Sequence, residues 1–169
     1  MYSVYLGLGS NLGDRLENLS RAVEAIREIL PLQSISSIYE TEPIGMQDVE
    51  EFYNMAVGIS TEDDPPLLLT KLKAIEKKMG RKSREQMEPR IIDIDILLYR
   101  GLAYEDHRVR VPHPMLEHRR FALEPLAEIA PTAVHPVREK TVASLLRLCR
   151  DRHRVTKTNF QLHRTTVVQ

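Results

Sequence analysis

The segment Ile92-Asp93-Ile94-Asp95-Ile96 carries the most informative chemistry in the chain. In an extended strand alternate side chains share a face, so the two carboxylates point one way and the three isoleucines the other. Residues two apart along a strand are separated by about 6.5–7 Å, so both carboxylates can converge on one hard cation or bridge two. Magnesium takes one or two carboxylates, keeps some of its waters and completes its octahedron with substrate phosphates. The plain alternative is an amphipathic edge strand with one wet face, and an isolated Asp-x-Asp would favour it. Aspartate is a poor strand former, however, and two of them among three isoleucines are an unusual way to make a surface merely wet.

Cationic residues flank the pair on both sides. Arg90 precedes Asp93 by three positions, and Arg81, Lys82 and Arg84 lie just upstream. Arg108, Arg110, His113, Arg119 and Arg120 follow soon after. Any one of these arginines is most simply a surface residue. Together they match what phosphoryl transfer needs, because guanidinium groups bind phosphate through paired hydrogen bonds and stabilise charge in flight. His113, between Pro112 and Pro114, is a structural residue, a general acid or a phosphate contact. No Gly-x-x-x-x-Gly-Lys-Ser/Thr occurs, which excludes a P-loop enzyme. Gly7-Leu-Gly9-Ser-Asn-Leu-Gly13 has the wrong spacing for a dinucleotide fingerprint and is expected to be a tight strand-to-helix turn.

The elements that must position these residues can be read from periodicity. Residues 4–8 form a buried strand. Asp14 with Glu17 has the form of a capping box, and Leu16, Leu19, Val23, Ile26 and Leu30 make one helical face that Pro31 ends. A second strand is expected through Ile35 and Ile38 to about Thr41, and a third from Phe52 to Ser60, with a polar loop, 42–51, between them. Pro65 and Pro66 open the second helix, whose stripe is Leu68, Leu72, Ile75 and Met79, with Gly80 as its terminator. A charged loop, 81–89, leads into a fourth strand from Ile91 to Tyr99. Strand, helix, strand, strand, helix, strand is the α+β, ferredoxin-like βαββαβ order, with both helices on one face of an antiparallel sheet. The C-terminal extension, His113 through Leu148, is expected to cover the other face. A single domain over 1–150 and a basic, mobile tail over 151–169 follow.

Composition bounds the rest. Lys plus Arg and Asp plus Glu both number 24, so net charge is zero and no global field favours nucleic acid or an anionic membrane. The basic excess from Arg138 onward has no interleaved aromatics for stacking bases. The single cysteine, Cys149, permits no internal disulfide and fits a reducing cytoplasm. No apolar run approaches spanning length, and Met1-Tyr-Ser-Val-Tyr lacks a basic leader. A cytoplasmic monomer with small-molecule partners, and with neither nucleic acid nor membrane, is expected. A ligand-sensing ferredoxin-like module would not need two carboxylates facing arginines. An RNA-binding sheet would need exposed aromatics where strand four offers acids.

Several stretches also resemble one family in order along residues 3–148. They are Gly9-Ser-Asn-Leu-Gly13, Tyr39-Glu-Thr41, Phe52-Tyr-Asn54, Glu76-x-x-x-Gly80-Arg81, Pro89-Arg90-Ile-Ile-Asp93-Ile-Asp95-Ile-Leu97, Val111-Pro-His113-Pro and Arg119-x-Phe121-x-Leu-x-Pro125-Leu. Taken together the chain resembles 6-hydroxymethyl-7,8-dihydropterin pyrophosphokinase of folate biosynthesis, an ATP-dependent diphosphotransferase. The resemblance implies transfer of pyrophosphate from ATP to the pterin hydroxymethyl group, with release of AMP. It implies that Asp93 and Asp95 hold two magnesium ions and that Arg81 and Arg90 steady the phosphates. It places Ile96, Arg108, Arg110, His113 and Arg119 around the nucleotide. It gives Asn54 a hydrogen bond to the pterin, Phe52 and Phe121 its two faces, and Thr41 and Ile44 nearby backbone. Loops 42–51 and 81–89 would close over bound ATP. Two departures stand out. The family commonly carries a tryptophan near the end of the second loop, where this chain has Met87 and no tryptophan anywhere, and Glu88 replaces a small residue in a loop about one residue short.

Overall fold

Two aspartates start the two main helices. Asp14 accepts the Glu17 N–H at 3.1 Å and Asp64 accepts the Leu67 N–H at 3.0 Å, each satisfying a donor that a helix start leaves without an internal partner. A computed structural model describes residues 1–81 and 89–162. It runs β1 (Tyr2–Ser10), α1 (Arg15–Ile29), β2 (Leu32–Ile35), β3 (Tyr39–Thr41), β4 (Phe52–Thr61), α2 (Pro65–Lys78) and β5 (Asp93–Tyr99). Beyond these come β6 (Tyr104–Glu105), β7 (Arg110–Val111), a 3-10 turn (Leu116–His118), α3 (Arg120–Ile129), β8 (Val134–His135), β9 (Lys140–Thr141), α4 (Val142–Leu148) and β10 (Val155–Lys157).

The main sheet has the order β10-β3-β4-β1-β5, with β2 also paired to β4, and every pairing is antiparallel. This is the ferredoxin-like arrangement. Alternation along the strands builds two cores. Val4, Leu6, Leu8, Val57, Ile59, Ile94 and Ile96 pack with Leu19 and Ile26 of α1 and Leu68 and Leu72 of α2. On the other face Ala56, Leu97 and Leu98 pack with Ala122, Leu123 and Leu126 of α3 and Val142 and Leu145 of α4. The expected cover from the C-terminal extension is therefore present. Leu97 and Leu98 can face the same side because the β1–β5 register slips by one residue between Tyr5 and Leu6, a bulge that leaves one residue unopposed. Plain alternation sets Asp93, Asp95 and Leu97 on one face, and the bulge adds Leu98 to it and returns Tyr99 to the α1–α2 core.

Three elements differ from the sequence reading. The second strand is broken: β2 and β3 both pair with β4, while between them the ladder lapses, Ser36 keeping one backbone bond from its N–H to Ala56 O at 2.9 Å. Hydroxyl groups take over there. Ser36 Oγ accepts the Ala56 N–H at 2.8 Å and Ser37 donates its N–H and its Oγ–H to Glu128 at 2.9 and 2.7 Å. Short polar side chains compete with ladder bonds in this way. The fourth strand starts at Asp93 rather than Ile91. Finally, the fold continues past residue 150, because β10 adds to β3 through Val155–Thr41, Thr156–Glu40 and Lys157–Tyr39 pairs. Residues 151–162 of the expected tail thus belong to the structure.

Leu123 in α3 is completely buried, whereas Leu148 is 56 % exposed. Leu123→Ala should cost about 2–5 kcal/mol, the range for deleting a buried leucine, and Leu148→Ala well under that, both read by urea unfolding. Equal effects would contradict the packing of α3 on the sheet.

Candidate active site

The site forms where β1 and β5 run side by side. Gly7 pairs with Asp95 and Gly9 with Asp93, so the strand beside the carboxylates presents no side chains. A Cβ on Gly9 would sit 2.5 Å from Asn54 Oδ1, which makes glycine obligatory if Asn54 is to keep its place. Over this floor lies a cavity of about 500 Å³, within the ordinary size range of ligand pockets. The N-terminal turn of α3, loop 42–51 and the stretch from His113 to Leu116 form its other walls.

One end of the cavity is ionic. Arg81 donates to Asp93 Oδ1 at 2.6 Å and Arg90 to Asp93 Oδ2 at 3.0 Å, so each carboxylate oxygen meets a guanidinium. Glu76 of α2 lies behind them, 3 % exposed. Its Oε1 accepts from Arg81 at 3.0 Å and from the Ile94 N–H at 2.7 Å, while Lys73 donates to both its oxygens. The Ile94 amide lies between the two aspartates, so Glu76 fastens the strand that carries them to α2. Asp95 accepts no side-chain hydrogen bond among the described residues.

These surroundings split the two aspartates electrically. Burial alone would raise Asp93, but Arg81 and Arg90 outweigh it and hold its carboxyl below the usual range. Asp95 is pushed up by burial and then by the Asp93 charge, against weaker pulls from Lys73 and Arg119. Arg81 goes up: burial opposes its charge, and Asp93 and Glu76 more than offset that. Burial, followed by repulsion from Arg119, lowers His113 to about 4. Its Nδ1 accepts the Met115 N–H at 3.1 Å, which leaves Nε2 to carry the proton of the neutral ring. A divalent cation bound between the two would offset the repulsion that raises Asp95 and would release its proton on binding. Two oxygen-bearing side chains with room beside them suit magnesium, which fills its remaining positions with water and phosphate.

The other end is aromatic and amide-lined. Phe52, Phe121 and Ile44 line it. The Asn54 amide donates to Thr41 Oγ1 at 2.6 Å, and both residues are buried. The Arg119 guanidinium carbon lies 5.6 Å from the Phe121 ring centroid, joining this end to the ionic one.

The cavity therefore gathers Thr41, Ile44, Phe52, Asn54, Arg81, Arg90, Asp93, Asp95, His113, Arg119 and Phe121, most of the residues singled out from sequence. Four do not line it, among them Arg120, whose guanidinium donates to Glu124 and to the Asp151 backbone oxygen. Ile96 is 5 % exposed and faces the α1–α2 core. Arg108 donates to Thr70 Oγ1 at 2.8 Å, and Arg110 is exposed with Glu105 3.9 Å away. Lys82, Arg84, Met87 and Glu88 lie outside the described residues. Lys73, Met46 and Met115 line the cavity and were not anticipated, nor was the anchoring by Glu76. A signal for Glu76 existed, since it is an acid set beside the apolar stripe of Leu72, Ile75 and Met79.

The family model described as 7,8-dihydro-6-hydroxymethylpterin-pyrophosphokinase (HPPK) matches residues 5–131. A 2-amino-4-hydroxy-6-hydroxymethyldihydropteridine pyrophosphokinase of Aquifex aeolicus is 44 % identical over 140 residues, which is 83 % of this chain and 88 % of that protein. The Bacillus subtilis protein of the same name is 42 % identical over 127 residues, 74 % of this chain and 76 % of its own length. The chain also matches 20 % of the folic acid synthesis protein FOL1 of Dictyostelium discoideum, at 41 % identity over 79 % of this chain. Among solved structures, Plasmodium falciparum HPPK-DHPS with pteroate superposes with a TM-score of 0.70 at 18 % identity, over 87 % of this chain and 44 % of that one, a likeness of fold. The sequence matches span the strands and helices that build the cavity, and the chain belongs to the 7,8-dihydro-6-hydroxymethylpterin-pyrophosphokinase family.

Proposed function

We infer that this chain transfers pyrophosphate from ATP to 6-hydroxymethyl-7,8-dihydropterin and releases AMP, a step of folate biosynthesis. The observation that carries this reading is the two-ended cavity. An aspartate pair with three arginines lies at one end, and two phenylalanines with a buried amide at the other. A flat, polar-edged pterin suits stacking on Phe52 and Phe121 with a hydrogen bond to Asn54. Thr41 holds that amide in place, and Ile44 offers backbone from loop 42–51.

The reaction forms a bond between the hydroxymethyl oxygen and the β-phosphorus of ATP and breaks the bond from that phosphorus to the oxygen bridging it to the α-phosphate. The hydroxyl proton must leave, and the AMP phosphate carries away the electron pair. Alignment and charge neutralisation dominate such a step. Magnesium, two ions in this proposal, would supply Lewis-acid neutralisation of the phosphate oxygens from Asp93 and Asp95. Arg81 and Arg90 already meet at Asp93, where they can turn to the phosphates. Asp95, which lines the cavity beside Asp93, would accept the hydroxyl proton once it is ionised. His113 and Arg119 face the same space, and His113, neutral at pH 7, would donate from Nε2. Arg108 and Arg110, outside the cavity on and beside the β6–β7 hairpin, would have to swing toward the nucleotide, and Ile96, whose side chain is in the α1–α2 core, could meet it only through its backbone. Loops 42–51 and 81–89 would close over the substrates. The enzyme is proposed to act in the cytoplasm as a monomer without nucleic-acid or membrane partners; no described helix is long and apolar enough to cross a membrane.

Incubation with ATP, magnesium and 6-hydroxymethyl-7,8-dihydropterin should give AMP and the pterin diphosphate in equal amounts by chromatography. ADP as the nucleotide product would overturn the assignment. A second prediction concerns His113. Its folded-state pKa of about 4 lies below the ordinary 6.5, so between those values the unfolded chain binds the proton first. Its contribution to stability is therefore complete above pH 6.5 and is lost as pH falls toward 4. NMR titration of the ring should give a midpoint near 4, and a midpoint near 6.5 would contradict the burial described.

A further inference from the structure

Residues 151–157 lie past the stretch that the family model matches, yet they touch two walls of the cavity. The first contact is at α3. Arg119, which precedes that helix, gives it no side-chain cap. Asp151, 6 % exposed at its side chain, supplies one from elsewhere in the chain. Its Oδ2 accepts the Arg120 N–H at 2.9 Å, and its backbone oxygen accepts Arg120 Nε at 3.1 Å. The other carboxylate oxygen takes the His153 N–H at 3.0 Å and lies 2.5 Å from His153 Nδ1. A carboxylate at a helix start satisfies a donor left without an internal partner and complements the helix dipole. This same turn carries Arg119 and Phe121 into the cavity.

The second contact is at loop 42–51. The β10–β3 ladder extends one residue beyond Val155, to Arg154. The Glu42 N–H donates to Arg154 O at 3.2 Å, and the Arg154 N–H donates to Glu42 Oε1 at 2.6 Å. The Arg154 guanidinium reaches the Glu51 carboxylate at the other end of the loop. One residue thus holds both ends of the segment that brings Ile44 and Met46 to the cavity. Arg15 Nη1 secures the Glu51 carbonyl from α1 at 2.7 Å.

We propose that residues 151–157 are a brace for the aromatic end of the site, with Asp151 and Arg154 as positioning residues that set α3 and loop 42–51 at a fixed spacing; this rests on the pyrophosphokinase reading of that cavity. Neither residue lines the cavity. Arg154 is more than half exposed, so its ion pair contributes modestly and its loss should be felt as a factor of up to about five rather than as inactivation.

The test compares the full chain with Arg154→Ala, Arg154→Lys, Asp151→Ala and Asp151→Asn. Amide hydrogen exchange on the substrate-free proteins should quicken across 42–51 in Arg154→Ala and across the first turn of α3 in Asp151→Ala, and not in α1 or α2. In steady-state assays KM for 6-hydroxymethyl-7,8-dihydropterin should rise up to about fivefold in the alanine variants, with KM for ATP and kcat little changed. Arg154→Lys and Asp151→Asn, which each keep one of the partners, should recover part of both effects. If Asp151→Ala does not fold, the asparagine variant and both Arg154 variants decide. Unchanged exchange in 42–51, exchange raised equally throughout, or equal rises in both KM values would overturn the brace. Exchange is read without substrates, so it decides the brace even if AMP formation fails.

Discussion

Carboxylates crowded onto a half-buried strand cannot remain charged without cations, and that constraint organises this molecule. Asp93, Asp95 and Glu76 converge on one corner of the sheet. Like charges in a poorly solvated place repel strongly. The chain answers with Arg81 and Arg90 on Asp93 and with Lys73 on Glu76. Asp95, which has no such hydrogen-bonded partner among the described residues, yields by resisting ionisation. The corner is therefore balanced for the protein alone. In the proposed reaction a divalent ion would take the place of the guanidinium groups at the carboxylates, and those groups would serve the phosphates.

The fold exists around that corner. Two glycines on β1 clear the floor beside the aspartates. A one-residue bulge after Ile96 lets the same strand serve the site with Asp93 and Asp95 and then both cores with Leu97, Leu98 and Tyr99. Glu76 occupies the Ile94 amide on the sheet's outer edge, which both satisfies that donor and closes an edge that would otherwise invite another strand. The α3 layer covers the remaining face and brings Arg119 and Phe121 to the cavity.

Much of this was legible in the sequence. Local rules are enough to place the helix starts at Asp14 and at Pro65, or to set Asp93 and Asp95 on one face. The element order gave the sheet topology because few connections are compatible with it. What escaped depends on long-range pairing. Ser36 and Ser37 break a strand only because Ala56 and Glu128 wait opposite. Residues 155–157 read as a polar tail, and they become a strand by pairing with β3. Lys73 looks like any exposed helical lysine until α2 docks beside β5. Ile96 illustrates the converse: it follows the two aspartates of the candidate site in sequence, but alternation turns its side chain into the α1–α2 core.

The central claim is that Asp93 and Asp95 couple nucleotide binding to magnesium. Calorimetric titration with a non-hydrolysable ATP analogue, with and without magnesium, tests it in the wild-type chain and in Asp93→Ala. Magnesium should strengthen binding to the wild type and should add little in the variant. The same magnesium dependence in both proteins would contradict the account.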